Sequence, residues 1–383
     1  MDLDFTREDD AFRQEVRTWL EENAPKQRPP REGTATREFD LAWQRKQYDG
    51  GWAGIAWPAE YGGRGLSGVR QLIWFEECAR ANVPEAGPTF VGLNHAGPTL
   101  IVNASDAQKA FHLPKILKGE VIWCQGFSEP GAGSDLGSLS LKGVVDGDSL
   151  VVTGSKIWTS YAHLADYQEL LVRTDPDARK HAGITWIICD MKLPGITIRP
   201  IRFINGEHHF NQVFYDEARI PLANVVGEIN KGWQVAMSTL AFERGTAFTQ
   251  RQMLLAKLVD EVAERAVARH GGRSALLQES LGERIAMLKA ETKALRAMTY
   301  LAVSRNARRA APGPDGSLLK LQLSRLKKEA GELALEVEGC EGLLNSHIVK
   351  DYQETFARSV GGGTDEVQKN IVAQRLLGLP RQY

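Results

Sequence analysis

The chain has 383 residues, 43% of them hydrophobic and 25% charged, and 47 basic side chains against 48 acidic ones leave a formal net charge of -1. That balance suits a globular protein with a large core and offers no field to recruit nucleic acid or an anionic membrane. No apolar run approaches the roughly eighteen residues of a spanning helix, and the acidic opening MDLDFTREDD does not read as a leader peptide, so a cytoplasmic protein is expected.

The first predicted element is a helix. Thr6 and Asp9 make a capping-box start, and Phe12, Val16, Trp19 and Leu20 fall on one face before Pro25, Pro29 and Pro30 end it. WPAEYGGRG (Trp57 to Gly65) is a loop, and helical spacing then runs to Glu120. From there the texture changes to Val, Ile, Thr and aromatics. SLVVTG, GITWIICDM and GITIRPI read as short strands, with turns at DGDS, KLPG and INGE. After Glu228 apolar residues recur every three to four positions through LLAKLVDEVAERAV and GERIAMLKAETKALRAM, and APGPDGS is the clear break before a last helical pair. The expected fold is α+β in three domains: helical 1–120, an antiparallel β-sandwich or barrel 121–227, and a helical bundle 228–383.

Four segments draw chemical interest. FSEPGAGSD (Phe127 to Asp135) is a Gly-rich turn able to present N–H groups and hydroxyls to a ligand, or simply to link two strands. KIWTSYA sets Trp158 beside Thr159 and Ser160, either a stacking platform for a flat cofactor or a core tryptophan. AMSTLAFERGTAF interrupts an apolar helix with Glu243 and Arg244. That is either a solvated face or a carboxylate desolvated into a general base. SVGGGTDEVQ places Gly361, Gly362 and Gly363 in a helical tail, although each glycine inside a helix costs about 0.5–1 kcal/mol. Cys78, Cys124, Cys189 and Cys340 have no C-x-x-C spacing, and the histidines, His208 and His209 included, have no ligand spacing. No disulfide and no metal site is expected.

Taken together, CQGFSEPGAGSDLGSL, KIWTSYAHLADY, NVVGEINKGW and GGGTDEVQKNI resemble, in order, the motifs of the acyl-CoA dehydrogenase family. The resemblance implies FAD as cofactor, an acyl-CoA substrate, α,β-desaturation with hydride passing to flavin N5, and an electron-transferring flavoprotein as acceptor. By motif position it puts Gln125, Phe127, Ser128, Gly133, Trp158, Thr159, Ser160, Thr364 and Glu366 at the cofactor. Ser134 also reaches the acyl-CoA.

Two departures stand out. Where many members carry the catalytic glutamate as Y-E-G-T, this chain reads GGGT. It instead resembles the branch, including isovaleryl-CoA dehydrogenase, whose base lies in L-x-x-E-R: LAFER makes Glu243 the base and Arg244 the substrate-side arginine. The backbone N–H of Gly362 remains as donor to the thioester oxygen. The family's adenine-side R-x-x-F-G is not evident, with Arg269 and Arg273 only loose candidates, and its Q-x-x-G-G-x-G is degraded to EVEGCEG. That loss resembles large subunits of pimeloyl-CoA dehydrogenase and heterotetrameric enzymes of steroid side-chain degradation. It implies a heterotetramer with a paralogous subunit, against a homotetramer with reworked contacts. A flavin oxidase or monooxygenase on the same fold, and a non-catalytic subunit, are the alternative readings.

Overall fold

The computed structural model describes residues 5–242, 248–269, 271–276, 280–306, 313–344 and 347–380. The first helices in chain order are α1 (Arg7–Asn23), α2 (Thr34–Asp49), α3 (Gly68–Arg80), α4 (Gly97–Asn103) and α5 (Asp106–Leu117). Strands follow as β1 (Trp123–Gly126), β2 (Lys142–Asp146), β3 (Ser149–Ser160), β4 (Tyr167–Arg173), β5 (Ile184–Asp190), β6 (Ile196–Ile201) and β7 (Phe210–Pro221). The chain then returns to helix: α6 (Gly232–Phe242), α7 (Phe248–Arg269), α8 (Arg273–Leu276), α9 (Ser280–Asn306), α10 (Asp315–Glu338), α11 (His347–Arg358) and α12 (Asp365–Ile371).

These elements form two compact units, one of Met1–Ala24, Ser67–Glu85 and Arg244–Tyr383, the other of Pro25–Leu66 and Ala86–Glu243. The N-terminal helices are thus shared out, α1 and α3 to the first unit and α2, α4 and α5 to the second.

In the helical unit α1 starts where the spacing predicts. The Asp9 N–H donates to Thr6 Oγ1 at 3.1 Å while the Asp9 carboxylate accepts from the Thr6 N–H, so both open donors are satisfied. Phe12, Val16 and Leu20 are buried and Trp19 half-buried. The bundle core follows the three-to-four spacing: Leu255, Val259 and Val262 on α7, Ile285, Leu288 and Leu295 on α9, Leu326, Ala330 and Leu333 on α10. Two carboxylates of α3 are buried with their counterions. Glu77 holds Arg13, Arg17 and Arg80, and Glu76 holds Arg13 and Arg296.

In the second unit the strands pair in the order β1-β4-β2-β3-β7-β6, with β5 on β4. β2–β3, β3–β7, β4–β5 and β6–β7 are antiparallel as expected, but β1 pairs parallel with β4. A parallel pair needs a long crossover, which residues 127–166 supply. DGDS closes the β2–β3 hairpin with Gly147 at φ 62°. One sheet face buries Leu150, Val152, Leu170 and Val213. The opposite face of β1, β4 and β5, with Trp123, Leu171, Trp186 and Ile188, packs under α4, α5 and α6. Strands buried on both faces read as continuous apolar runs, as in TWIIC. The four cysteines are free thiols, Cys340 exposed and the others buried. No described helix is long and apolar enough to cross a membrane.

Candidate active site

In the second unit the site is built on the ends of β1 and β3. After β1 the chain makes a tight turn in which Glu129 and Ala132 exchange both backbone hydrogen bonds at 3.0 Å, so Pro130 and Gly131 form its tip. Added Cβ atoms at Gly131 or Gly133 would meet nothing within 4 Å: the loop stands open. Beneath it lies a buried ion pair. Lys156, 0% exposed, donates from Nζ to Glu129 Oε1 at 2.8 Å and to the Phe127 carbonyl at 2.9 Å. The Glu129 carboxylate also accepts from the Ser140 and Leu141 N–H groups and the Ser140 hydroxyl. Burial alone would raise the Glu129 carboxyl, but Lys156 and these donors hold it below its ordinary value. Burial lowers Lys156 to about 8 against the pull of Glu129, so both groups are charged at neutral pH. One side chain therefore ties the Gly-rich turn to the strand that carries Trp158.

That strand is irregular where the motif falls. The β3–β7 register slips between Lys156 and Thr159, and Trp158 (φ 60°) and Tyr161 (φ 55°) both lie in the left-handed region. An L-residue there costs about 1 kcal/mol, and bulges of this kind re-aim side chains beside functional sites. Here the effect is to turn the Trp158 indole outward, 53% exposed, while the Thr159 side chain is fully buried and its hydroxyl has no hydrogen-bond partner. The structure therefore brings Trp158 and Ser160 to the outer face and leaves Thr159 only its backbone there. The hydroxyls of Ser128, Ser134 and Ser160 make no hydrogen bond among the described residues, and Phe127 is buried beneath the turn. An exposed indole on a braced strand, open glycines and uncommitted hydroxyls fit a flat, polar-edged ring such as a flavin.

The helix that leads to LAFER belongs to the same unit. Gly232 lets α6 press onto β5, since a Cβ there would sit 2.1 Å from the Trp186 nitrogen. Thr239 meets Thr99 of α4 hydroxyl to hydroxyl at 2.9 Å, and Val235 and Ala236 are buried. The anchored helix is described to Phe242; Glu243 and Arg244 lie outside the described residues.

In the helical unit, the triple glycine joins α11 to α12. Gly361 caps onto the Ala357 carbonyl at 2.9 Å, while Gly362 (φ 69°) and Gly363 (φ 88°) take the left-handed conformation that only glycine adopts cheaply. Thr364 is the N-cap of α12, its Oγ1 accepting from the Val367 N–H at 3.2 Å. Gln368 donates to the Gly362 and Gly363 carbonyls, and Lys320 holds Asp365 at 2.9 Å and the Ser359 carbonyl at 3.3 Å. The Gly362 N–H has no acceptor among the described residues, and Glu366 is exposed in the first turn of α12.

Charged residues hidden in strands went unselected in the sequence. Lys156 falls in the inward register of Leu150 and Val152, and Glu169 opens the apolar run ELLV. A charge at an inward strand position is the signal that marks both. Glu169, 0% exposed, accepts from Gln125 Nε2 at 2.8 Å, and His95 Nδ1 lies 3.3 Å from the same nitrogen.

The α+β fold and the braced strand ends, with an exposed indole and open glycines, suit the binding of a flat cofactor. Family models agree with it over almost the whole chain: acyl-CoA dehydrogenase N-terminal domain at residues 6–120, middle domain at 124–216 and C-terminal domain at 230–377. The chain belongs to the acyl-CoA dehydrogenase family, whose members are FAD-dependent oxidoreductases. It is similar to the acyl-CoA dehydrogenase IpdE1 of Mycobacterium tuberculosis, 38% identical over 97% of this chain and 98% of the relative. Among solved structures it resembles the Tcur3481-Tcur3483 steroid ACAD, 31% identical over the full length of both chains with a TM-score of 0.87. It also resembles the ChsE4-ChsE5 complex from Mycobacterium tuberculosis, 30% identical over both full lengths, TM-score 0.83.

Proposed function

We propose that this chain is the base-carrying subunit of an acyl-CoA dehydrogenase that desaturates a bulky, steroid-derived acyl-CoA thioester. The observation that carries the reading is the turn at 361–363. It offers an uncommitted backbone N–H at Gly362 and no side chain able to take a proton. A carboxylate must therefore come from elsewhere, and Glu243 follows directly on an anchored helix.

In this proposal Glu243 abstracts the α proton, and Arg244 sits on the substrate side. The Gly362 N–H donates to the thioester oxygen as negative charge develops there, a role worth about 3 kcal/mol. Bound FAD supplies the hydride acceptor. Gln125, Phe127, Ser128, Gly133, Trp158, Ser160 and the Thr159 backbone hold it, Thr364 and Glu366 serve it from the last motif, and Ser134 contacts the acyl-CoA. Electrons leave to an electron-transferring flavoprotein. The domains divide at 120/121 and 227/228.

The partner is a paralogous acyl-CoA dehydrogenase subunit. Two structural relatives are named as pairs of different chains. Within this chain, Arg269, the candidate for the adenine-side motif, is spent on its own degraded segment. It donates to Glu338 Oε2 at 2.9 Å and Glu341 Oε2 at 2.6 Å, acids that would repel a pyrophosphate. Leu343 and Leu344 beside that segment are 87% and 65% exposed, apolar surface suited to a subunit contact. The test is to purify the chain alone and with a co-expressed paralogue, then add a steroid acyl-CoA without oxygen. The expected result is FAD-loaded protein only from the pair, bleached by the thioester. Stoichiometric FAD on the chain alone would contradict the shared site, and no bleaching would contradict the activity.

A further inference from the structure

Gln125 is the β1 residue nearest the outer end of the strand whose side chain carries a hydrogen-bonding amide, and its surroundings decide which end of that amide faces out. β1 and β4 pair in parallel register with Gln125 opposite Glu169, so the two side chains lie together on the sheet face covered by the N-terminal helices of this unit. Glu169 is completely buried, and a carboxylate oxygen 2.8 Å from Gln125 Nε2 accepts its hydrogen. His95, 5% exposed, completes the cluster, its Nδ1 3.3 Å from Gln125 Nε2 and 3.5 Å from Glu169 Oε1. It reaches in from a π-helical turn, Gly92–Ala96, that leads directly into α4. Such turns insert one extra residue and recur at functional sites. Phe90 packs edge-on against the imidazole at 5.2 Å between ring centres.

A buried carboxylate is costly unless it is hydrogen-bonded, so a fully enclosed Glu in a strand is retained for what it orients. Here it orients an amide. With the Gln125 NH2 turned inward, Oε1 is the end left over, and among the described residues nothing donates to it. The side chain itself is half-buried, its Nε2 held in the cluster.

We propose that Glu169 and His95 are positioning residues. They lock the Gln125 amide so that its oxygen stands as a fixed hydrogen-bond acceptor for an N–H or O–H donor of the molecule bound against β1. The inference rests on the reading above, that Gln125 lies at the FAD and Ser134, on the turn that follows β1, at the acyl-CoA. The donor has two possible sources, the flavin ring or a hydroxyl of a steroid-derived acyl chain.

The test uses the FAD-loaded complex carrying Glu169→Gln, whose carboxamide can donate or accept and so releases the amide sense, and separately Gln125→Leu. Visible flavin spectra are taken without substrate, and Kd values are measured for cholyl-CoA and for the hydroxyl-free cholanoyl-CoA. A common shift of the flavin bands in both variants identifies the ring as donor. Unchanged spectra with cholyl-CoA weakened about fivefold, the loss of roughly one hydrogen bond, and cholanoyl-CoA unaffected identify a substrate hydroxyl. If Glu169→Gln does not fold, His95→Phe, which removes the second group beside the Gln125 amide and keeps the Gln125–Glu169 hydrogen bond, takes its place alongside Gln125→Leu. Wild-type spectra and both wild-type Kd values in a folded variant overturn the proposal. A wild-type complex without FAD, or one that binds neither thioester, overturns the functional reading instead.

Discussion

The strand-borne region and the last helical region secure their polar groups in opposite ways. Around FSEPGAGSD and KIWTS, polar groups are buried and cross-tied: Lys156 to Glu129, and Gln125 to Glu169. Around EVEGCEG Arg269 pairs with Glu338 and Glu341 near the surface, beside GGGT Lys320 is buried against Asp365, and Leu343, Leu344, Val360 and Leu377 are exposed. Buried, partnered charges rigidify a site, whereas exposed pairs contribute little and are easily rearranged. The contrast teaches that the β region is fixed by its own buried polar pairs, while the helical region leaves apolar side chains exposed, as the proposed subunit contact requires.

The largest effect expected from breaking this contrast is at Lys156. Lys156→Met leaves the Glu129 carboxylate buried without its cation, and unfolding stability should fall by about 3–5 kcal/mol, read by urea titration. Adding Glu129→Gln should recover part of that loss; a neutral Lys156→Met would mean the turn is not braced by the pair. Next in size is the glycine turn. Gly363→Ala would need φ 88° and place its Cβ 2.6 Å from Gln368 Nε2, and should cost about 1–2 kcal/mol. Gly361→Ala, whose Cβ meets the Ala357 carbonyl at 3.4 Å, should be tolerated. Equal melting shifts for the two would contradict the assigned turn geometry.

A smaller effect depends on pH. His112 sits among Phe111, Trp123 and Tyr167, and burial, with Lys115 adding to it, lowers its pKa to about 4. The unfolded chain binds that proton near pH 6.5 and the folded one only near 4, so stability is full above about 6.5 and declines as pH falls between them. Melting temperatures from pH 7 to 5 should fall less for His112→Phe than for wild type; parallel curves would remove His112 from the account. Smallest is Arg269→Ala. Arg269 is 40% exposed, so its loss should change stability by less than about 1 kcal/mol and leave FAD content of the hetero-oligomer unchanged. A large loss of FAD would show that this arginine serves the cofactor after all.

Much of this was legible in the sequence. The Thr6 cap, the α1 face, the strands at SLVVTG and GITWIIC and the DGDS turn follow from local chemistry, and the structure has them there. The parallel β1–β4 pair was not legible, because strand partners forty residues apart leave no local trace. Nor was the burial of the Thr159 side chain beneath Trp158: a one-residue bulge reverses which side chains face out. The triple glycine shows both limits. Its composition announces a turn, yet only the structure distinguishes Gly361, an ordinary position, from Gly362 and Gly363, which need positive φ.

The central claim is that the proton is taken by a residue of LAFER and not by the turn at GGGT. The most direct measurement is anaerobic rapid mixing of the FAD-loaded Glu243→Gln complex with a steroid acyl-CoA that bleaches the wild type. The predicted result is retained FAD and thioester binding with flavin reduction slowed at least about a thousandfold. Reduction at a near wild-type rate would contradict it.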